Sequence, residues 1–477
     1  MAVTTVRQGT VSSSISQLAA SLLAKERQPI QALQDRRTQL NQQSTVLGTL
    51  KTRMSALRSA LDNLSSPGTL SPFTAKTATS SDPDRLIASA GASAAAGTLG
   101  ITVQQLARRS SHVSDVFTNT GTTLSAGGTG TFTFSLTIAG TTYNASVIVN
   151  AGDTDQTVLD NVAAAITTAV GAKGSAVRVQ PEDGKARLSV SSADTGSANK
   201  LAFTDTDGLL ARLGIVKTSP TAATDTTGGY IYDDLGNHEL DAKLLIDGLT
   251  YYRSSNTVSD LVTGVTLNLK GLATSEMTVK VQPDADRALA AIKDFVAKYN
   301  DTITFLRQNT AIDPKAQTTG PLALDATYAP LASQLRRHVA VVVGSQPAGT
   351  ANNLAALGIV AAKDGTLSIT SEGDLKDAFT KNPAAFANLF NAPDGVATTL
   401  EAFVDGYSRA TGTIFQSQNA LTTRMSSLDD AIQRKNLALA RKQAALEDQL
   451  ARQQAVLDEL NNQMTGINQV LNAAAQG

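Results

Sequence analysis

Leu47-Gly48-Thr49-Leu50-Lys51-Thr52-Arg53-Met54-Ser55-Ala56-Leu57-Arg58-Ser59-Ala60-Leu61-Asp62-Asn63-Leu64 decides the fold. Leu47, Met54 and Leu61 step by seven, and Leu50, Leu57 and Leu64 each stand three residues later. That is the a/d seam of a helix lying against another helix. Upstream the seven-residue row continues back through Leu40 to Leu33. Ile15, Leu18 and Leu22 read as a separate short amphipathic helix, with Pro29 breaking the pattern between the two. Ser65-Ser66-Pro67-Gly68 ends the long helix.

The far end of the chain repeats this pattern. Met425, Ile432, Leu439 and Leu446 step by seven, and Leu460 and Ile467 resume the row after Gln453. A second row, Leu450, Leu457, Met464 and Leu471, fills the +4 positions, whereas Leu421 and Leu428 sit at −4 earlier on. The stripe therefore drifts around the helix, and Asn436 and Gln443 interrupt it; polar residues at such positions weaken a coiled coil and specify register or partner. Two helical ends with matching seams predict either an antiparallel hairpin pairing the two ends or seams filled by another molecule. The candidate partner-binding residues are Leu33, Leu40, Leu47, Met54, Leu61, Leu439, Leu446, Leu450, Leu457, Leu460, Met464, Ile467 and Leu471.

Between the ends the period changes. From Ser71 to Pro283 the chain is rich in Thr, Ser, Gly, Val and Asp, and alternating runs read as strands at 131–138, 146–149, 186–190 and 277–281. One amphipathic helix, Val158 to Val170, is embedded there, with Asp153 and Asp155 as its expected caps. Helical spacing returns in Leu289, Ile292, Val296, Tyr299, Ile303 and Leu306, then around Leu331, Leu335 and Val339, then from Phe379 through Phe390 and from Leu400 to Tyr407. A β-like Gly365–Ile369 stands among them. The fold class is α+β and multidomain: helical ends and a helical leg, with β-rich head domains inserted between them. At 477 residues the length allows about three domains at ~150 residues each.

Composition excludes several functions. The chain has no Cys and so no thiolate catalysis, disulfide framework or Cys-ligated metal. A formal net charge of -1 lacks the basic footprint of a nucleic-acid binder. No apolar run approaches the ~20 residues needed to span a bilayer, so no membrane insertion is expected. Met1–Arg7 lacks a basic region leading into an apolar stretch, and no cleaved signal peptide is expected.

No motif reads as catalytic. His112, His238 and His338 are far apart and lack ligand spacing; no HExxH, GxSxG or P-loop pattern occurs. Gly127-Gly128-Thr129-Gly130 precedes a strand and reads as a turn rather than a phosphate cradle. Asp205-Thr206-Asp207-Gly208 starts like a calcium loop, but the twelfth position is Val216 where a bidentate Glu is needed. Arg108-Arg109 and Arg336-Arg337 read as surface or interface charge. No enzyme activity, metal or cofactor is expected.

Several segments resemble the bacterial flagellar filament cap family, the flagellar hook-associated protein 2 family. Leu22–Ile30 looks like the family's helix–helix junction, Leu47–Lys51 like its helical seam, and Phe73–Ser81 like the exit from leg to head. Arg253-Ser254-Ser255-Asn256-Thr257-Val258-Ser259-Asp260-Leu261-Val262-Thr263-Gly264-Val265-Thr266-Leu267 is the most family-like run. Phe295–Asn300, Leu354–Ile359 and Asp364–Leu367 add to it, and 132–195 looks like the strand–strand–helix–strand repeat of flagellin-related proteins.

The resemblance implies four parts: residues 1–48 with 418–477 as terminal helices, 49–75 with 285–417 as a helical leg, 76–110 with 236–284 as an inner head, and 111–235 as an outer head. It implies a homo-oligomeric ring of five or six subunits at the filament tip, exported without a cleaved signal, that promotes folding and insertion of flagellin and prevents its leakage. Implied partners are a second copy of the chain, flagellin, hook–filament junction proteins, and a cytosolic export chaperone at the C-terminal helix. The rival readings are an extracellular adhesin and another hook–filament junction protein.

Overall fold

The computed structural model describes residues 8–216 and 229–474, and the chain divides into two compact units: residues 1–67 with 286–477, and residues 68–285. Helical ends enclose a β-rich middle, in agreement with the expected fold class. Met1–Arg7 and the side chains of Ile15, Leu18 and Leu22 lie outside the described residues.

The helical unit is built on two long helices, Gln8–Ser65 of 58 residues and Thr413–Ala474 of 62. Pro29 does not break the first. A proline inside a helix removes one backbone bond and crowds the carbonyl four residues earlier. Here that carbonyl belongs to Lys25, an exposed residue that water can reach, while Ile30 is buried on the next step and Glu26 pairs with Lys442 just before it. Contacts on both sides carry the helix through. The expected division at residue 48 accordingly falls inside a continuous helix.

Shorter helices complete this unit: Ala285–Thr310, Leu331–Val339, Glu372–Lys381, Pro383–Asn391 and Val396–Ser408. The helical stretch from Phe379 through Phe390 is divided between two helices, because Asn382 caps Pro383–Asn391 by accepting from Ala385 N, with Pro383 in its first turn. Ala285–Thr310 buries the expected stripe, Leu289, Ile292, Val296, Tyr299, Ile303 and Leu306, and Phe295 beside it. A two-stranded hairpin, Ile359–Ala361 with Leu367–Ile369, is fixed to that helix: Asn300 Oδ1 accepts from Leu367 N at 2.6 Å and its Nδ2 donates to Leu367 O at 2.8 Å.

The β-rich unit has two apolar cores. In the inner lobe a five-stranded antiparallel sheet runs in the order 76–80, 277–283, 97–105, 242–246, 249–253. A second sheet orders 257–262, 265–269, 86–90. Ile101, Val103, Leu244 and Val279 from the first and Leu86, Val258, Val265 and Leu267 from the second form the core. Strands 242–246, 265–269 and 277–283 bury alternate residues, as a two-sheet packing demands.

The outer lobe combines a sheet ordered 202–205, 130–138, 141–149 with a second built on Lys185–Thr195, which pairs with 109–113, 117–118 and 174–179. Asp155–Val170 packs Val158, Leu159, Val162, Ile166 and Val170 into the core with Leu136, Val147, Leu188 and Val190. The Gly174–Val179 strand stands between this helix and Lys185–Thr195, one strand more than the spacing implied. The expected aspartate caps are corrected. Thr154 is the cap, its hydroxyl accepting from Thr157 N, while Asp155 Oδ1 turns back to accept from Leu124 N at 2.7 Å and Asp153 Oδ2 accepts from Asn150 N.

Candidate interaction surfaces

The Leu47–Leu64 stripe is the centre of the helical unit. Leu47, Leu50, Met54, Leu57, Leu61 and Leu64 are fully buried, Leu40 is buried and Leu33 half-buried. The helix that carries them packs against Thr413–Ala474 and Val396–Ser408. Arg58 adds a polar clasp at the edge, its Nε 2.9 Å from Glu401 Oε1 and 3.2 Å from Asp405 Oδ1. The hydrogen bond to Glu401 leads the causes that raise the Arg58 pKa, so its charge is held firmly.

The two long helices run antiparallel. Arg37 pairs with Asp429, and Glu26 pairs with Lys442, whose hydrogen bond holds the Glu26 carboxyl below its ordinary pKa. Leu439, Leu446, Leu450 and Leu457 remain half-buried along this stretch. Continuing the same register from Glu26 and Lys442 brings Gln8 level with Leu460. The C-terminal helix extends past that level to Ala474. From that level on, Leu460 is 51% exposed, Met464 60%, Ile467 59% and Leu471 60%, joined by Val470. From Leu460 to Gly477 the sequence has no charged residue. The end of this helix is a neutral apolar stripe flanked by Asn and Gln, the composition of a surface that recognises a partner by shape and burial rather than by charge. Asn436 and Gln453 are exposed and Gln443 is half-buried.

The histidines are each packed against a ring. His112 lies edge-on to Phe203 with its Nε2 3.8 Å from Asp233 Oδ2, and burial lowers its pKa. His238 stacks on Tyr252 and meets Asp241 through Nδ1 at 2.7 Å. His338 packs on Phe403, and burial lowers its pKa too. Asp205–Gly208 is a turn: Asp205 Oδ2 accepts from Ala211 N, and Asp207 Oδ2 accepts from the backbone and hydroxyl of Thr133. Arg212 lies over the Phe132 ring and donates to Leu124 O and Gly128 O, which ties down the Gly127–Gly130 turn. Among the described residues no group of three His, Cys, Asp or Glu side chains is placed to hold a metal, and no helix is long and apolar enough to cross a membrane.

Two runs singled out in the sequence share a device that spacing alone does not reveal. In Phe295–Asn300 the final Asn closes on both backbone groups of Leu367, as described above. In Arg253–Leu267, Asn256 does the same to Ala107, accepting from its N–H at 2.7 Å and donating to its carbonyl at 2.9 Å. One side-chain amide thus replaces a neighbouring strand. The rest of that run is a hairpin, 257–262 with 265–269, that supplies Val258, Val265 and Leu267 to the inner core.

This architecture has known counterparts. The family profile for the flagellar hook-associated protein 2 N-terminus matches residues 12–110, and that for its C-terminus matches residues 240–466. The chain is 29% identical over 434 residues to the B-type flagellar hook-associated protein 2 of Pseudomonas aeruginosa, an alignment covering 88% of this chain and 86% of that protein. It is 25% identical over 480 residues to flagellar hook-associated protein 2 of Aeromonas caviae, covering 98% of each. Among solved structures, the D1-D2-D3 domains of the flagellar cap protein from Escherichia coli align at a TM-score of 0.58 and 25% identity, covering 79% of this chain and 99% of that one. With both ends of the chain matched and the helix–insert–helix architecture in common, the chain belongs to the flagellar hook-associated protein 2 family, the flagellar cap family.

Proposed function

We propose that this protein caps the distal tip of the bacterial flagellar filament as a homo-oligomeric ring, retaining exported flagellin so that it folds and inserts instead of leaking away. The observation that carries the reading is the match of family profiles to both halves of a helical frame around a β-rich insert. In this reading the protein is structural and uses no catalytic centre. It reaches the tip through the flagellar export channel without a cleaved signal, and contacts flagellin and the hook–filament junction proteins. The β-rich unit supplies the head, and the helical unit the leg.

The exposed stripe Leu460, Met464, Ile467 and Leu471 is the partner-binding part of the leg. An amphipathic helix docks into an apolar groove of an export chaperone before export, and against a neighbouring chain or flagellin afterwards. Contacts at a tip that rebinds after each added subunit must be individually weak, which suits a stripe interrupted by Asn436, Gln443 and Gln453.

The test is a deletion strain, with unpolymerised flagellin measured in the culture medium. Leakage reversed by the full chain is the expected result. Normal filaments without leakage, combined with loss of surface attachment, would instead assign the protein as an adhesin.

A further inference from the structure

We infer that the two connectors between the lobes of the β-rich unit, residues 105–109 and 233–241, form a locked joint rather than a flexible tether, with Asn256 and Asp241 as its positioning residues. The outer lobe has its own core and is inserted into the inner one through only these two chain segments. Two bare segments would permit bending. The polar side chains around them prevent it.

The first connector is gripped at Ala107, whose N–H and carbonyl are both taken by the Asn256 side chain. It is also tied to the second connector, because Arg108 N donates to Leu240 O at 2.9 Å. The second connector is gripped by Gln105, whose amide nitrogen lies 2.6 Å from Asp241 O and 3.0 Å from the carbonyls of His238 and Glu239. Both segments are therefore held at the backbone by side chains, that of Asn256 in the inner lobe and that of Gln105, where the inner-lobe strand 97–105 runs into the first connector.

Asp241 then fastens the outer lobe itself. Its side chain is almost wholly buried, 4% exposed, and gathers four polar contacts. Oδ1 accepts from Ser197 N and from Ser254 Oγ, each at 2.8 Å, while Oδ2 accepts from Ser197 Oγ at 2.6 Å and lies 2.7 Å from His238 Nδ1. Ser197 belongs to the outer lobe and Ser254 to the inner, while Asp241 ends the second connector just before the inner-lobe strand 242–246. A buried carboxylate is tolerated only when its acceptor sites are filled, so swinging the outer lobe away would strand a charge in a poorly solvated place. Thr195 Oγ1 adds a bond to Ser254 O at 2.6 Å, and Gly196 N donates to Arg108 O at 2.8 Å.

Gly196 carries the independent geometric sign of a close fit. Its φ is +93°, and a Cβ there would overlap the Ser254 backbone. Only glycine lets the two lobes approach this closely at that backbone angle.

The absence of cysteine makes a direct test simple. Spin labels at Ser146→Cys in the outer lobe and Lys280→Cys in the inner lobe, both exposed positions, report the inter-lobe distance in the full chain diluted with unlabelled protein. The expected result is a single narrow distribution. It should broaden about twofold or more in the double variant Ser197→Ala/Ser254→Ala, which removes two donors to Asp241 and leaves both apolar cores intact. Gly196→Ala should shift the mean distance by wedging the lobes apart. A distribution already broad in the parent chain overturns the proposal, and so does one that stays narrow and unmoved in the serine pair and in Gly196→Ala.

Discussion

The two ends of one heptad pattern meet opposite fates. Leu47, Met54 and Leu61 are wholly buried, whereas Leu460, Met464, Ile467 and Leu471 stand more than half exposed on a helix of the same kind. The spacing is the same in both and the partner is not. The helix carrying Leu47–Leu64 packs against Val396–Ser408 and Thr413–Ala474, so the stripe becomes core; past Leu460 the antiparallel register carries the helix beyond Gln8, the first described residue of its partner. Periodicity thus specifies a helix and its sticky face, while the elements packed against that face decide whether it becomes core or stays exposed.

Substitutions should separate the two regions. Leu57→Ala removes a fully buried side chain from the core stripe and should cost about 2–5 kcal/mol in chemical denaturation of the full chain. A loss well below that range would mean that the buried stripe is not the core of the helical unit. Arg58→Ala breaks a clasp to Glu401 and Asp405 that is partly open to solvent, and should cost about 1 kcal/mol or less. A cost as large as that of Leu57→Ala would transfer the weight of the leg from apolar packing to charge.

Acid should act on the β-rich unit. Burial pushes the Asp241 carboxyl up, but the hydrogen bonds from Ser197, His238 and Ser254 outweigh it and hold the pKa below the ordinary value. A group with a lowered folded pKa contributes stability that is complete above its unfolded value, about 4, and is lost as pH falls through the folded one. Thermal unfolding followed from pH 6 to about pH 2.5 should therefore fall more steeply in the parent chain than in Asp241→Asn. Parallel curves would remove Asp241 from the account. The smallest effect belongs to the exposed stripe: Ile467→Ala should leave stability within about 0.5 kcal/mol of the parent. A large loss there would show that the stripe is folded against something within the chain.

The frame was legible in the sequence because it rests on long, regular periods. The seam at Leu47–Leu64, the stripe from Leu289 to Leu306 and the strands read at 131–138 and 277–281, which the fold extends to 130–138 and 277–283, follow from spacing that any solvent-excluding fold must respect. Pro29 misled because its local penalty is offset by contacts at Glu26 and Ile30 that come from the distant end of the chain or from tertiary burial. The helix cap was misassigned to Asp153 and Asp155 because the residue between them, Thr154, has the extended backbone that a cap needs, while both carboxylates are used elsewhere. The neck between the lobes was not legible at all. Asn256, Gln105 and Asp241 act on backbone groups far away in sequence, and nothing in their local spacing signals that. The resemblance drew attention to Arg253–Leu267 as a run, and only the fold gives Asn256 and Ser254 their tasks.

In the function proposed above, the exposed C-terminal stripe serves capping and not folding. The most direct measurement is unpolymerised flagellin in the medium of cells carrying the variant in which Leu460, Met464, Ile467 and Leu471 are all changed to Ser, normalised to the amount of cap protein exported. Leakage close to that of the deletion strain is expected, from a chain that unfolds at the parent's temperature. Filaments of normal length with no excess flagellin in the medium, from an equally stable and equally exported variant, would contradict it.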